Sequence, residues 1–232
     1  EQPGEEKMVF ANRENYFQVS FPSELSNDEE VSITNQGYTL SFQLKLSSKR
    51  NSKAKIKAQT KEDKELQKNL TDAQKRSNLT DCRTSITYQD IQSDADLEYT
   101  VLPQSVKENI ILKTKPKSDC VYEYRIRGPK LKTKLSETGE IVFTDADGTS
   151  IFTLPAPNMY DANGSRSDRI KVSLTQQKDE YLLRYEPSTE WLHANERVYP
   201  VVLDPVVEAE TSLFAAAEEE SETPDDDTYT IS

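Results

Sequence analysis

The chain has 232 residues, of which 34% are hydrophobic and 30% are charged, and its formal net charge is −12. This length fits one large all-β domain or two small ones, with a lean core and much surface. No stretch approaches the run of about 18 apolar residues that a membrane-spanning helix requires, so we expect no membrane span. Because the sequence opens on Glu1 without a signal peptide, we expect a mature chain or an excised fragment.

The first predicted elements are short strands in which apolar and polar residues alternate. Residues 16–21 and 30–34 show this period of two, and Asn35 to Gly37 form a predicted turn before residues 38–46. In 38–46 every second residue is apolar, so one face of the strand is predicted to point into a core. These inward residues are Tyr38, Leu40, Phe42, Leu44 and Leu46.

A basic segment follows at residues 45–76, with eleven Lys or Arg against four acids, a local excess of seven positive charges. Such a segment can contact a polyanion, or it can be a solvated connection between strands. Within it, residues 61–76 predict a helix. The residues that would contact a polyanion are Lys49, Arg50, Lys53, Lys55 and Lys57.

The same segment argues against a nucleic-acid partner. Between Phe42 and Tyr88 there is no aromatic residue. Proteins that bind single-stranded nucleic acid stack the bases on aromatic side chains, and this segment offers none. We therefore expect no nucleic-acid partner.

Beyond the basic segment, nine further runs read as strands, and turn sequences rich in Gly, Asp and Asn separate them. Their short, even spacing predicts an antiparallel β-sandwich rather than βαβ units. The predicted fold class is all-β: an antiparallel sandwich-like module with a basic, partly helical insertion at about 47–80 and an acidic C-terminal linker. The nine runs are 84–89, 97–102, 109–114, 120–127, 140–145, 150–154, 169–176, 180–186 and 197–204.

Two acidic patterns raise the question of metal binding or hydrolysis. Residues 145–150, DADGTS, open like a calcium loop, but no Glu stands at the closing position. They read better as a hairpin turn in which Gly148 supplies a positive φ. Glu137 and Glu140 could be a glycosidase pair, although a pair chosen from so many acids has almost no specificity. We expect no metal and no cofactor.

The two cysteines, Cys82 and Cys120, both stand at the start of predicted strands. If the protein is exported and the two are adjacent, a disulfide would stabilise the fold by about 4 kcal/mol in the chain-entropy model. The alternative is that each is a buried free thiol, since unpaired Cys is among the most buried residue types.

Residues 191–205 contain the only tryptophan, Trp191, and the only histidine, His193. A single large aromatic most often packs in a core, so Trp191 is predicted to be a buried residue at a strand entry rather than a sugar platform. His193 has no second histidine with which to bind a metal or form a triad. The structural residues predicted for this stretch are Trp191, Tyr199, Asp204 and Pro205, with the Asp-Pro pair ending the strand.

The tail carries most of the negative charge. Residues 208–232 hold nine acidic side chains and no Lys or Arg. Like charges repel and few apolar groups are available, so 208–225 is predicted to be a linker. Residues 226–232, DDTYTIS, alternate like the first strand of a following domain. The β-rich module is therefore predicted to cover residues 1–207.

Several of these motifs together resemble a known family. The sequence LEYTVLPQSVKENIILK (97–113), the turn PAPNMYDANG (155–164) and Trp191-Leu192 before a strand ending in Asp204-Pro205 resemble the N-terminal β-rich region of wall-associated RHS/YD-repeat proteins, which are large secreted bacterial surface proteins. In that family the region precedes a DNRLRE-type β domain, and 226–232 is similar to the first strand of such a domain. The resemblance covers most of 14–232 and implies no catalytic residue.

This resemblance implies a noncatalytic structural or presenting module, located outside the cell or at its wall, whose partners are downstream domains of the same chain. A second hypothesis is a module that binds carbohydrate or an anionic wall polymer through an exposed sheet face or the basic segment. A third is a hydrolase with a pair of carboxylates. An aromatic-lined groove would favour the second hypothesis, and convergent carboxylates in a deep pocket would favour the third.

Overall fold

The computed structural model describes residues 9–11, 17–46, 52–57, 84–92, 94–102 and 104–209. They form two antiparallel sheets around one hydrophobic core, as the alternating sequence predicts. The only described α-helix is α1 (Thr189–His193). No helix of the described residues is long and apolar enough to cross a membrane.

The smaller sheet has seven strands, in the order β1-β2-β4-β5-β10-β17-β16. Each neighbouring pair is antiparallel, and its two end strands, β1 and β16, form the open edges among the described strands. The strands are β1 (Val9–Ala11), β2 (Gln18–Pro22), β4 (Val31–Asn35), β5 (Tyr38–Leu44), β10 (Tyr122–Arg127), β16 (Ile170–Gln177) and β17 (Glu180–Pro187).

The larger sheet has twelve strands, nine of them in the order β11-β12-β13-β19-β9-β8-β7-β6-β3. Off this path, β18 pairs with β9 and β14, and β14 also pairs with β15. The strands are β3 (Glu24–Leu25), β6 (Ser52–Lys57), β7 (Thr84–Gln92), β8 (Ala95–Val101), β9 (Ser105–Leu112), β11 (Lys132–Leu135), β12 (Ile141–Thr144), β13 (Ser150–Leu154), β14 (Asn158–Asp161), β15 (Arg166–Ser167), β18 (Val201–Asp204) and β19 (Val206–Ala209).

The core lies between the sheets and is filled by the inward face of each strand. In β5 the predicted inward residues are buried, apart from Tyr38, which is partly buried against the core. Aromatic contacts join the layers: Phe21 and Tyr99 have ring centroids 5.3 Å apart, and Phe143 and Tyr181 meet edge to face at 6.4 Å. Edge-to-face and tilted pairs of this kind add to the stability that burial provides.

Residues 145–150 form the predicted hairpin turn between β12 and β13. Gly148 has φ +93°, the left-handed conformation that glycine adopts without strain. The Asp145 carboxylate accepts hydrogen bonds from the backbone N–H of Asp147 at 3.0 Å and of Thr149 at 2.9 Å. This carboxylate therefore holds its own turn.

One region differs from the sequence prediction. Residues 52–57, placed in a partly helical insertion, form strand β6, which pairs with β7 and β3 and so belongs to the sheet. The Asp204-Pro205 pair ends strand β18 as predicted, and the pairing resumes beyond it, because β19 also pairs with β9. A proline is tolerated there because it sits at an interruption between two short strands. The predicted helix 61–76 lies outside the described residues.

Candidate functional site

A carboxyl group lies inside the sandwich, on strand β9. Residues of β9 alternate between half-buried and buried, which points Glu108 into the core along with Val106 and Ile110. Glu108 is only 7% exposed. Burying an unpaired charge is costly, so such a group must be hydrogen-bonded or neutral.

Tyrosines from both sheets surround this carboxyl. The hydroxyl of Tyr124 on β10 donates to Glu108 Oε1, and Tyr99 on β8 also hydrogen-bonds to the carboxyl. Burial raises the pKa of Glu108 to about 7, and the two tyrosine hydrogen bonds lower it only in part. Burial of the Tyr124 hydroxyl, and then the neighbouring Glu108 carboxyl, raise the pKa of Tyr124 well above its usual value. Near neutral pH the carboxyl therefore changes charge inside the core.

The cavity beside Glu108 is small and mostly apolar. Its walls include Phe42, Leu183 and Tyr185 from the smaller sheet and Pro205 to Val207 from the larger one. Among the residues that line it, Glu108 is the only carboxylate, so this cavity does not supply the acidic pair that a glycosidase needs. Glu137 and Glu140, the predicted pair, lie instead in the turn between β11 and β12. Sequence reasoning missed Glu108, although its place among alternating apolar residues was a readable signal.

Trp191 lies on helix α1 and not at a strand entry. Ser188 caps this helix, because its side chain accepts a hydrogen bond from the Trp191 backbone N–H at 3.3 Å. The indole is half-buried against the core, and the guanidinium of Arg197 stacks on it, 3.6 Å from the ring centroid. The predicted packing of Trp191 against the core is confirmed, but its predicted place at a strand entry is wrong, and its ring also carries a cation.

Arg197 forms a buried ion pair that the sequence did not reveal. Its guanidinium lies 2.7 Å from Asp161 Oδ2, and the two side chains are 4% and 0% exposed. Asp161 also accepts hydrogen bonds from the backbone N–H groups of Asn163, Ser165 and Val198. Although burial opposes it, these donors and Arg197 keep the pKa of Asp161 below its usual value. The partners are 36 positions apart in the sequence, so no local pattern indicates the pair.

The other structural residues predicted around Pro205 are held by defined contacts. Tyr199, which precedes a cis peptide bond to Pro200, donates its hydroxyl to the Leu192 carbonyl at 2.9 Å. Asp204 forms an ion pair with Lys107, 2.9 Å apart. The Pro205 carbonyl accepts a hydrogen bond from the Glu108 N–H at 3.0 Å. His193 is half-buried, and its Nε2 has no partner among the described residues.

The basic residues predicted to contact a polyanion are only partly described. Lys53 and Lys55 are exposed on β6, and Lys57 ends that strand. The ammonium of Lys55 hydrogen-bonds to the Gln89 side chain on β7. Lys49 and Arg50 lie outside the described residues, so polyanion contact by the full set stays a prediction.

The predicted disulfide also stays a prediction. Cys120 is half-buried, and burial raises the pKa of its thiol. Cys82 lies outside the described residues. A raised pKa keeps the Cys120 thiol protonated and therefore poorly nucleophilic.

On the outer face of the larger sheet, polar side chains form a row across four strands. Asn158 pairs with Asp204, and Asn109 pairs with Glu98; the register of β18 on β9 places Asp204 next to Asn109. We call these four residues the polar row. Among the described residues, Oδ1 of Asn158, of Asp204 and of Asn109 has no hydrogen-bond partner. These three oxygens are themselves buried, so the row holds unpaired acceptors that solvent does not reach.

No protein-family model matches the chain. The chain is similar to three curated bacterial proteins, each 30% identical over 127 residues, which is 52% of this chain and 5% of the relative. They are the tRNA3(Ser)-specific nuclease WapA of Bacillus spizizenii, the tRNA nuclease WapA of Bacillus subtilis and the tRNA(Glu)-specific nuclease WapA of Bacillus subtilis subsp. natto. The chain therefore spans about 5% of the length of the curated relatives it matches.

These relatives correct one prediction. We expected a protein that is not an enzyme, and that prediction is wrong, because the matched relatives are named as tRNA nucleases. The expected absence of a nucleic-acid partner was inferred from composition alone and stays a prediction.

Proposed function

We propose that this chain is a structural module that holds and spaces other parts of a much larger exported protein. Two findings support a module of this kind. The matched relatives are far longer than this chain, which covers about 5% of each. The described residues build two sheets on one continuous core, which is the stable unit that a spacing module requires.

The observation that carries the proposal is the position of strand β19. This strand lies in the interior of the larger sheet, where it pairs with β13 on one side and with β9 on the other. Its last residue, Ala209, also donates its N–H to the Gln104 carbonyl at 3.0 Å. A pull on the chain beyond Ala209 would therefore load hydrogen bonds on both sides of the strand, which suits an anchor for downstream parts.

The location outside the cell or at its wall, and the resemblance to RHS/YD-repeat proteins with a following DNRLRE-type domain, belong to the same proposal. The support for them is the set of quoted motifs together with the similarity to the WapA proteins. The limit at 225 is proposed on the same basis. Strand β19 extends to Ala209, two residues past the predicted limit at 207, and residues 210–232 lie outside the described ones.

The test uses the whole protein in its own cells. Asp161→Ala should unfold the module, because it leaves the buried Arg197 guanidinium without its carboxylate. Downstream parts should then be presented less at the cell surface, measured as antibody binding to intact cells at equal total protein. Glu190→Ala is the matched control, since this carboxylate is 87% exposed. Unchanged presentation in a variant whose module is protease-sensitive would refute the proposal.

A second candidate function is binding of carbohydrate or an anionic wall polymer. The exposed Lys53 and Lys55 of β6 favour the anionic polymer, because surface ammonium groups attract a polyanion. Glycan and teichoic-acid arrays with the purified chain test it. Binding that the double change Lys53→Ala and Lys55→Ala abolishes, and that Lys178→Ala in an exposed turn of the other sheet leaves intact, would support this function. Absence of binding on both arrays would eliminate it.

A further inference from the structure

Strand β16 is the longest open edge among the described strands. All eight of its residues pair with β17 on one side, and no described strand lies on its other side. The other sheet ends are shorter: β1 has three residues, β3 has two, and β11 has four. Strand β11 also carries two exposed lysines, Lys132 and Lys134. Exposed lysines on an edge strand hinder its pairing with another chain.

The edge of β16 carries less of this protection than β11 does. It has no proline and no bulge, and its single charge, Lys171, lies 3.3 Å from Glu186 of the neighbouring strand. On its inward face, Val172 and Leu174 are only partly buried, although they pack against the core. An added strand would cover these two side chains. A long edge with a single charge is a template for pairing with another chain.

The hairpin fixes which backbone groups of β16 are available. Lys178 and Asp179 form a two-residue turn, so Gln177 and Glu180 close the hairpin as a hydrogen-bonded pair. Alternate residues then bond to β17, and the intervening ones point their N–H and C=O away from it. The Ser188 N–H donates to the Arg169 carbonyl at 2.8 Å, so Arg169 points its carbonyl toward β17, as this alternation requires. The outward groups belong to Val172, Leu174 and Gln176.

We infer that β16 is a self-association edge, at which a second copy of this chain adds its own β16 in antiparallel orientation about a two-fold axis at Leu174. This register forms hydrogen-bonded pairs between Leu174 and its copy and between Val172 and Gln176. Three such pairs give six backbone hydrogen bonds. No like charges face each other, and Leu174 meets an apolar partner. Among the described edges, only β16 itself offers a partner of this length.

On the outer face of this pairing, Ser173 of one copy lies opposite Thr175 of the other, twice per dimer. The double variant S173K/T175K therefore places two lysines opposite each other and should weaken the dimer. The matched variant S173K/T175E places a lysine opposite a glutamate and should preserve it. Both variants place a lysine at position 173, opposite Arg184 of the same hairpin. Any repulsion from Arg184 is therefore the same in both variants.

Sedimentation velocity over rising concentration measures the result on the purified chain. The wild type should show a monomer–dimer equilibrium, S173K/T175K should raise its Kd at least tenfold, and S173K/T175E should stay close to the wild type. Equal urea midpoints would show that both variants fold. A wild type that stays monomeric, or a dimer that S173K/T175K leaves unchanged, overturns the inference.

Hydrogen exchange tests whether another segment of the same chain, and not a second copy, covers the edge of β16. In the dimer, the amides of Val172, Leu174 and Gln176 should gain protection as concentration rises. If they are already protected in a monomeric sample, another segment of the same chain covers this edge, and self-association through β16 is wrong.

Discussion

Replacement of Glu108 by Gln should remove most of the pH dependence that this carboxyl gives to the stability of the sandwich. In the folded protein its pKa is raised from 4.5 to about 7, with burial as the main cause. The folded state therefore holds the proton more tightly than the unfolded state does. The stabilisation from this group is complete below pH 4.5 and is lost as the pH rises through about 7.

The magnitude follows from the two pKa values. Between pH 5 and pH 8, the linkage relation gives a loss of about 2.5 kcal/mol in the free energy of unfolding from this single group. In Glu108→Gln the amide oxygen can still accept the Tyr124 hydroxyl, but the side chain cannot ionise. The variant should therefore lose about 2.5 kcal/mol less than the wild type over the same pH range.

Urea unfolding at pH 5 and pH 8 measures this difference. Glu190→Gln is the control, since that carboxylate is exposed, and its pH dependence should match the wild type. Parallel pH profiles for Glu108→Gln and the wild type would show that the buried carboxyl does not titrate in this range. The reasoning from burial would then be refuted.

Other substitutions test the remaining contacts. Asp161→Asn should destabilise by about 3–5 kcal/mol in urea, since it leaves the buried Arg197 charge uncompensated; a loss below 1 kcal/mol would contradict this. Gly148→Ala should cost about 1 kcal/mol from its positive φ, because a Cβ there meets no atom within 4 Å. Trp191→Ala should cost about 2–3 kcal/mol, less than for a fully buried ring. Polyanion binding through the lysines of β6 should weaken steeply with salt, and salt-insensitive binding would exclude it.

Strands with clear alternation could be predicted from the sequence, and the others could not. The apolar residues at every second position of 38–46 predicted both the strand β5 and its inward face. Strand β6 has lysines at alternate positions and little apolar content, so it resembled a solvated loop. Strand β14 was hidden inside a turn sequence, because Asn158 and Asp161 are typical turn residues.

The sites depend on pairings between distant residues, which the sequence alone does not specify. The register of β9 on β18 and β19 brings Glu108 next to Pro205, and the polar row joins residues from four strands. Antiparallel sheets allow many strand orders with the same alternation, so these neighbours could not be inferred. The helix α1 had a readable signal, since Ser188 caps it, but the adjacent Trp191 suggested a strand.

Exchange of the module within the whole protein tests the spacing role most directly. Residues 1–209 would be replaced by an unrelated stable β-sandwich of similar size, and antibody binding to the downstream parts would be measured on intact cells. A structural module predicts that presentation is retained with the replacement and lost when Asp161→Ala unfolds the native module. Loss of presentation with a folded replacement would contradict it, because the native surface would then be required for more than spacing.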